Sequence, residues 1–308
     1  MNEISNKWIG TSTVRPDGAD KVTGKAAYAA DTNMPGMIWG KVLRSPHPHA
    51  IIRSIDTSKA EALPGVKAVV TSKDIVDFSV HTPVPLGIQD MRWMCRNVMA
   101  REKALFHGHP VAAVAATSGA IAEEACKLIK VDYEVLPWAI EIDDAIADDA
   151  PILHDFIEFE GKPSNIAGTL EHTLGDIDAG FDEADVIVER SFDTRPVHQG
   201  YIEPHACLVS VAADDKTTIW SSSQGQFMVR AMTAFLTGIQ QSDIRAIPAE
   251  IGGAVTNCRR FEPRPISRVQ AILNVGAAAT CSTALSAEPP GGGHASTGWG
   301  WGRKKPTS

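Results

Sequence analysis

No apolar run in this sequence approaches the roughly 20 residues that cross a bilayer, and its polar first nine residues lack the basic region and apolar segment of a secretory signal. A cytoplasmic protein with no membrane partner is therefore expected. Cysteine is sparse and scattered. Cys95, Cys126, Cys207, Cys258 and Cys281 are odd in number and include no C-x-x-C pair, which excludes the common zinc, iron-sulfur and redox motifs and leaves buried or free thiols in a reducing compartment. A P-loop, a dinucleotide fingerprint and a nucleophile elbow are also missing, since Ser223-Gln224-Gly225 is not G-x-S-x-G. These absences remove the commonest nucleotide-dependent and hydrolytic enzymes.

What is present is ordinary for a globular chain. Its 308 residues, 44% apolar and 21% charged, suffice for a sizeable core and for two domains. A formal charge of -8 gives no general reason to expect nucleic acid or an anionic membrane as partner. The charge is uneven, however. Residues 254–308 hold seven basic and two acidic residues, a net of +5, which leaves -13 for residues 1–253. The sign changes where periodic hydrophobic pattern ends, so it reads as a boundary. Beyond it, Gly291-Gly292-Gly293 and Trp299-Gly300-Trp301-Gly302 are low-complexity runs. A basic tail of this kind leaves a weak reading as a nucleic-acid binder.

The pattern before that boundary predicts an α+β chain. Strands are expected at 37–44, 50–56, 66–71, 110–116 and 131–135, with a short helix capped by Thr57 or Ser58 and a longer one capped by Ser118 that aligns Ile121, Ala125, Leu128 and Ile129. Residues 78–103 are irregular; Met91, Trp93, Met94 and Met99 suit a groove or core edge better than a cofactor box. His47, His49, His107 and His109 lie beside prolines or glycine and are expected to face solvent rather than to bind metal. After an acidic, proline-punctuated connection come a short helix over 176–184 and strands beginning at Val186, Ala206 and Lys216. A helix over 225–236 follows, with Phe227, Ala231, Ala234 and Phe235 on one face and Gly238 as its stop. A last strand is drawn at 244–247.

The chemistry-bearing residues gather between Val197 and Gly253. Gln199 and Gln224 carry amides that donate and accept at once, which suits a polar heterocycle or an oxo-metal centre; they could equally be turn residues satisfied by backbone. Gly225, Gly252 and Gly253 allow close backbone approach, or are plain turn glycines. His198, Glu203 and His205 make a poor zinc trio, because in an extended chain His198 faces away from the other two. Glu203 and His205 read better as structural hydrogen-bonding groups beside a site. No residue is singled out as catalytic or as a metal ligand.

A resemblance sharpens this. The stretch from Arg15-Pro16-Asp17-Gly18 through Lys21-Val22-Thr23-Gly24-Lys25 to Asp31 resembles the opening of the molybdopterin-binding large subunit of the xanthine dehydrogenase family. Similar landmarks follow in order: Leu43-Arg44-Ser45-Pro46-His47-Pro48-His49-Ala50, Leu63-Pro64-Gly65-Val66, Val131-Asp132-Tyr133-Glu134-Val135-Leu136-Pro137, His198-Gln199-Gly200-Tyr201-Ile202-Glu203-Pro204-His205, Ser222-Ser223-Gln224-Gly225 and Pro248-Ala249-Glu250-Ile251-Gly252-Gly253. Members such as 4-hydroxybenzoyl-CoA reductase and carbon monoxide dehydrogenase begin this way.

The resemblance implies an a/b hammerhead domain followed by an incomplete molybdenum-cofactor-binding domain. It implies molybdenum-molybdopterin, in its plain or cytosine-dinucleotide form, as cofactor, held by Gln224, Gly225, Gly252, Gly253 and Gln199. It also implies hydroxylation or reduction of a small molecule at an aromatic, heterocyclic or aldehyde carbon, with an iron-sulfur subunit and an FAD-binding subunit as partners. The expected divisions are a lead-in over 1–20, the hammerhead over 21–137, a connection over 138–175, the start of the cofactor domain over 176–253 and an aberrant, disordered tail over 254–308. In the family the glycine segment continues into a longer cofactor-wrapping loop, whereas here Ala254-Val255-Thr256-Asn257 follows, as after a frameshift. The chain is accordingly expected to be inactive as it stands. The alternative is a non-catalytic remnant whose hammerhead domain only folds or contacts partner subunits.

Overall fold

The computed structural model describes residues 10–83, 90–169, 171–192 and 202–252, together with the backbone of 299–303. In chain order its elements are α1 (Gly18–Thr23), β1 (Ile38–Arg44), β2 (Ala50–Asp56), α2 (Ser58–Glu61), β3 (Val66–Thr71), α3 (Met91–Val98), β4 (Lys103–Ala104), β5 (Pro110–Ala116) and α4 (Gly119–Leu128). There follow β6 (Lys130–Val135), α5 (Ile142–Ile146), β7 (Glu158–Phe159), β8 (Lys162–Pro163), α6 (Ile177–Asp182), β9 (Cys207–Val211), β10 (Thr217–Ser221), α7 (Gln226–Thr237), β11 (Ile244–Pro248) and β12 (Trp299–Arg303). The mixture is the α+β class expected. No helix among the described residues is long and apolar enough to cross a membrane.

The first unit is built around β5. Its alternation of valine and alanine leaves small side chains on both faces, so β1 and β3 pair antiparallel on either side and α4 packs close above. Ala112, Val114, Ala116, Ala122, Ala125 and Cys126 form the buried cluster, with Leu43, Leu63, Val66 and Ile121 at its margin. Ser118 caps α4 by accepting from the Ile121 N–H, as the sequence predicts. Gly65 turns the chain into β3 with φ +97, and a Cβ there would lie 2.8 Å from Ile121 Cδ1, so this turn has room only for glycine. A second sheet, β4-β2-β6, completes the unit.

His49 and His109 are buried rather than solvent-facing. The Pro137 carbonyl takes the Nδ1 proton of His49 at 2.7 Å, and His109 Nδ1 accepts from the Leu105 N–H at 3.1 Å, so the prolines and glycine beside them are turns that seat these rings in the core.

The second unit is a β10-α7-β11 crossover between parallel strands, with β9 antiparallel to β10 on the other side. Cys207, Val209, Ile219 and Ile244 bury against Val229, Ala234 and Ile239. The opposite side of α7 presents Met232 and Leu236 to Met91, Met94 and Cys95 of α3. Thus α7 joins the two units. Of the face expected from Phe227, Ala231, Ala234 and Phe235, the two phenylalanines are exposed, whereas Ala231 packs toward α3 with Met228, Met232 and Leu236, and Ala234 packs on the other cluster. Gly238 ends α7 in the left-handed region as expected.

Further differences from the sequence expectation concern three segments. Residues 91–98 are a helix capped by Asp90, not irregular chain. Val186, Ile187 and Val188 form no strand and are 77%, 61% and 70% exposed, because no edge among the described residues lies beside them. Residues 299–303, inside the segment expected to lack order, form β12 between β1 and β9, antiparallel to the first and parallel to the second.

Candidate functional site

Parallel strands joined by a helix deliver their carboxyl ends to one edge, and the turns there form a natural crevice. In this chain those turns are 222–225, leaving β10, and 249–252, leaving β11. The Ala249 N–H donates to the Ser221 carbonyl at 3.0 Å, so the strands stay in register to their last residues. Ser222 Oγ lies 2.8 Å from the Glu250 carbonyl and contacts Glu203 Oε1, which draws residues 202–205 to the same edge.

The turn itself is tightly satisfied. Ser223 Oγ accepts from the Gly225 N–H at 3.1 Å, and Gln226 Nε2 reaches back to the Ser221 and Ser223 carbonyls at 3.1 and 3.3 Å. That leaves two buried oxygens, Gln226 Oε1 and Ser221 Oγ, without a protein partner. Gln224 stands exposed at the tip, one residue before the helix N-cap Gly225. No acidic side chain occupies the first turn of α7, whose free N–H groups and dipole favour an anion or an electron-rich ligand.

Across the crevice, the Gly252 N–H donates to Glu203 Oε2 at 2.6 Å. A Cβ on Gly252 would lie 2.7 Å from Glu203 Cβ and 3.1 Å from Tyr28 Cε1, so this glycine is required by space. From the lead-in, Lys21 Nζ approaches the Ile251 carbonyl at 3.3 Å, the Glu250 carboxylate at 3.2 Å and the Asp17 carboxylate at 3.0 Å. Asp17, held by Arg15 and then by Lys21, is pulled far below the usual carboxylate range, and Lys21 is raised by Asp17 and by Glu250.

Of the residues expected at the site, Gln224, Gly225 and Gly252 come together on this edge; Gln199 and Gly253 lie outside the described residues. Glu203 is the hydrogen-bonding group the sequence suggested. Its partner Ser222, the orphaned Gln226 oxygen and Lys21 were not singled out as site residues; Ser222 and Gln226 lie in a recognisable polar turn, whereas Lys21, standing among Arg15, Lys25 and three aspartates, carried no signal. Among the described residues no group of three or more histidine, cysteine, aspartate and glutamate side chains could hold a metal ion.

Two family models match the chain: the a/b hammerhead domain of aldehyde oxidase and xanthine dehydrogenase over residues 23–137, and the molybdopterin cofactor-binding domain over 158–255. The carbon monoxide dehydrogenase large chain of Afipia carboxidovorans is 34% identical over 245 residues, covering 76% of this chain and 29% of that protein. The probable hypoxanthine oxidase of Escherichia coli is 34% identical over 275 residues, covering 80% and 28%. Among solved structures, the aldehyde oxidoreductase of Desulfovibrio gigas superposes with a TM-score of 0.65 at 29% identity, over 86% of this chain and 28% of that one. The chain thus spans less than a third of the length of each of these relatives.

Proposed function

The chain belongs to the xanthine dehydrogenase family, as a molybdopterin-binding large subunit, and from that premise we propose that the edge formed by residues 222–226 and 250–252 holds part of a molybdenum cofactor. One observation carries the reading: Gln224 stands exposed at the N-terminus of α7 while, two residues on, Gln226 Oε1 is buried and unpartnered. A pterin presents ring N–H donors and acceptors together, and its phosphate suits a helix N-terminus, so the donor and acceptor set fits the group. Bound there, the cofactor would supply two-electron redox chemistry. The chain's own part is to orient it. The Gln224 amide would reach the group with either end, the α7 N–H groups would take negative charge, and Gly225 and Gly252 would let backbone approach closely.

The whole enzyme to which such a subunit contributes would hydroxylate or reduce a small molecule at an aromatic, heterocyclic or aldehyde carbon. The cytosine-dinucleotide form of the cofactor, and electron transfer to iron-sulfur and FAD-binding partner subunits, are further parts of this proposal. A second reading, a chain without cofactor, draws on the first unit: its buried cluster is assembled from residues between Leu43 and Val131 and needs nothing from β9–β11 to close.

Metal analysis and pterin fluorescence after oxidation, on chain purified from a host that makes the cofactor, separate the two. Near-stoichiometric molybdenum and pterin support the cofactor site. Their absence from well-folded chain overturns it.

A further inference from the structure

The carbonyl of Ile251 and the N–H of Gly252 belong to one peptide group, and the two ends of that group meet opposite charges. Lys21 Nζ is 3.3 Å from the carbonyl oxygen, and Glu203 Oε2 accepts from the N–H at 2.6 Å. A peptide dipole set this way, oxygen toward an ammonium and hydrogen toward a carboxylate, resists rotation about its flanking bonds, because a flip would turn both ends toward like charge. Both charges are themselves held. Lys21 is tied to Asp17 and Glu250, and Glu203 is in contact with Ser222 Oγ. The backbone on the near side is also fixed: the Glu250 N–H donates to the Ala27 carbonyl at 3.2 Å, and Tyr28 bridges to Glu250.

We infer that Lys21 and Glu203 are positioning residues that lock the Ile251–Gly252 peptide, and so fix the direction of the glycine segment at the edge beside Gln224. The significance for cofactor binding rests on the function proposed above; the lock itself does not. Lys21 lies ahead of the matched hammerhead residues 23–137, whereas Glu203 and Gly252 lie within the matched cofactor domain. The lead-in helix α1 therefore serves the cofactor domain across 230 residues of sequence.

Amide hydrogen exchange on the full chain, prepared without molybdenum, tests the lock. Glu203→Ala is expected to raise exchange at the Gly252 amide roughly tenfold or more, the size of one charge-assisted hydrogen bond, while β10 amides stay protected. Glu203→Gln should fall between wild type and alanine, because its oxygen still accepts from Gly252 and its amide donates to Ser222 Oγ while the charge is lost. Lys21→Met should also speed exchange at Gly252, an amide that Lys21 does not touch, and Lys21→Arg should not. Unchanged Gly252 exchange in Glu203→Ala or in Lys21→Met overturns the lock, as does a Glu203→Gln variant as fast as the alanine. If Glu203→Ala melts β10 as well, Glu203→Asp, which keeps the charge but shortens the arm, carries the same expectation. Variants that show these exchange effects, while wild-type chain takes up no molybdenum, would sink the cofactor reading and leave the lock standing. Chain that loads molybdenum with exchange unmoved would do the reverse.

Discussion

Acid should weaken this protein through two buried histidines. His109 is fully buried, stacked on Phe106 with ring centroids 4.3 Å apart, and its Nε2 has no partner in hydrogen-bonding geometry. Burial pushes its pKa down to about 4; the Arg96 and Asn97 carbonyls nearby favour the charged ring but are outweighed. His154 is likewise lowered to about 4 by burial, helped by Lys103 and Arg96. The unfolded chain binds a proton at each ring near 6.5, whereas the folded chain resists until about 4. Stability is therefore full above about pH 6.5 and falls as pH drops through the window to 4. At pH 5 each histidine costs about 2 kcal/mol relative to pH 7. Urea unfolding at the two pH values should register a loss of about 4 kcal/mol if the rings titrate independently. His109→Gln, which keeps an acceptor for the Leu105 N–H, should remove about half of that loss while lowering stability at pH 7. Asp17 and Asp90, held far below the usual range, titrate beneath this window. A variant with the full wild-type loss between pH 7 and 5 would refute the assignment.

Other perturbations address the joints of the fold. Gly65→Ala forces a positive φ and a 2.8 Å contact on Ile121, so about 2–4 kcal/mol should be lost; adding Ile121→Val, which removes the clashing Cδ1, should return part of it in a double-mutant cycle of denaturation midpoints. Met232→Ala empties the joint between α7 and α3 and should cost about 2–5 kcal/mol, with faster amide exchange in 91–98 as the local signature. Gln224→Ala, at an exposed turn, should leave the melting temperature within about a degree or two and reduce retained molybdenum several-fold. Unchanged retention would remove Gln224 from the site.

Legibility followed the range of the forces involved. The β5-α4-β6 block was readable because its period, its Ser118 cap and its closing turn all lie within about two dozen residues and agree with one another. Helix α3 was not. Met91, Met94, Cys95 and Val98 do carry a helical spacing, but over only eight residues, and what stabilises it is Met232 and Leu236, far along the chain. The same joint explains why the two phenylalanines of α7 were misplaced. The phenylalanines are the stronger apolar signal in isolation, yet the partner across the joint is a methionine cluster that takes Met228, Ala231, Met232 and Leu236 and leaves Phe227 and Phe235 outside. Val186-Ile187-Val188 has the composition of a strand; composition supplies no neighbour to pair with.

The candidate site divides along the same line. Ser222 to Gln226 could be recognised because a strand, a polar turn and a helix start are consecutive in sequence, and each announces itself locally. What holds the glycine segment is not local: the bonds that converge on Glu250, Ile251 and Gly252 span 28, 230 and 49 residues. Lys21 in the lead-in looks like one more surface charge beside Asp17, and an exposed i,i+4 pair contributes little to stability. Its value is created by the return of the chain. Once β11 delivers Ile251 to α1, the same ammonium that balances Asp17 also caps a carbonyl whose own N–H partner is already fixed by Glu203, so a weak surface pair becomes one jaw of a clamp. A lysine and a glutamate separated by 182 positions thus act on one peptide group, which is why neither could be ranked from spacing and why both should respond together when either is changed.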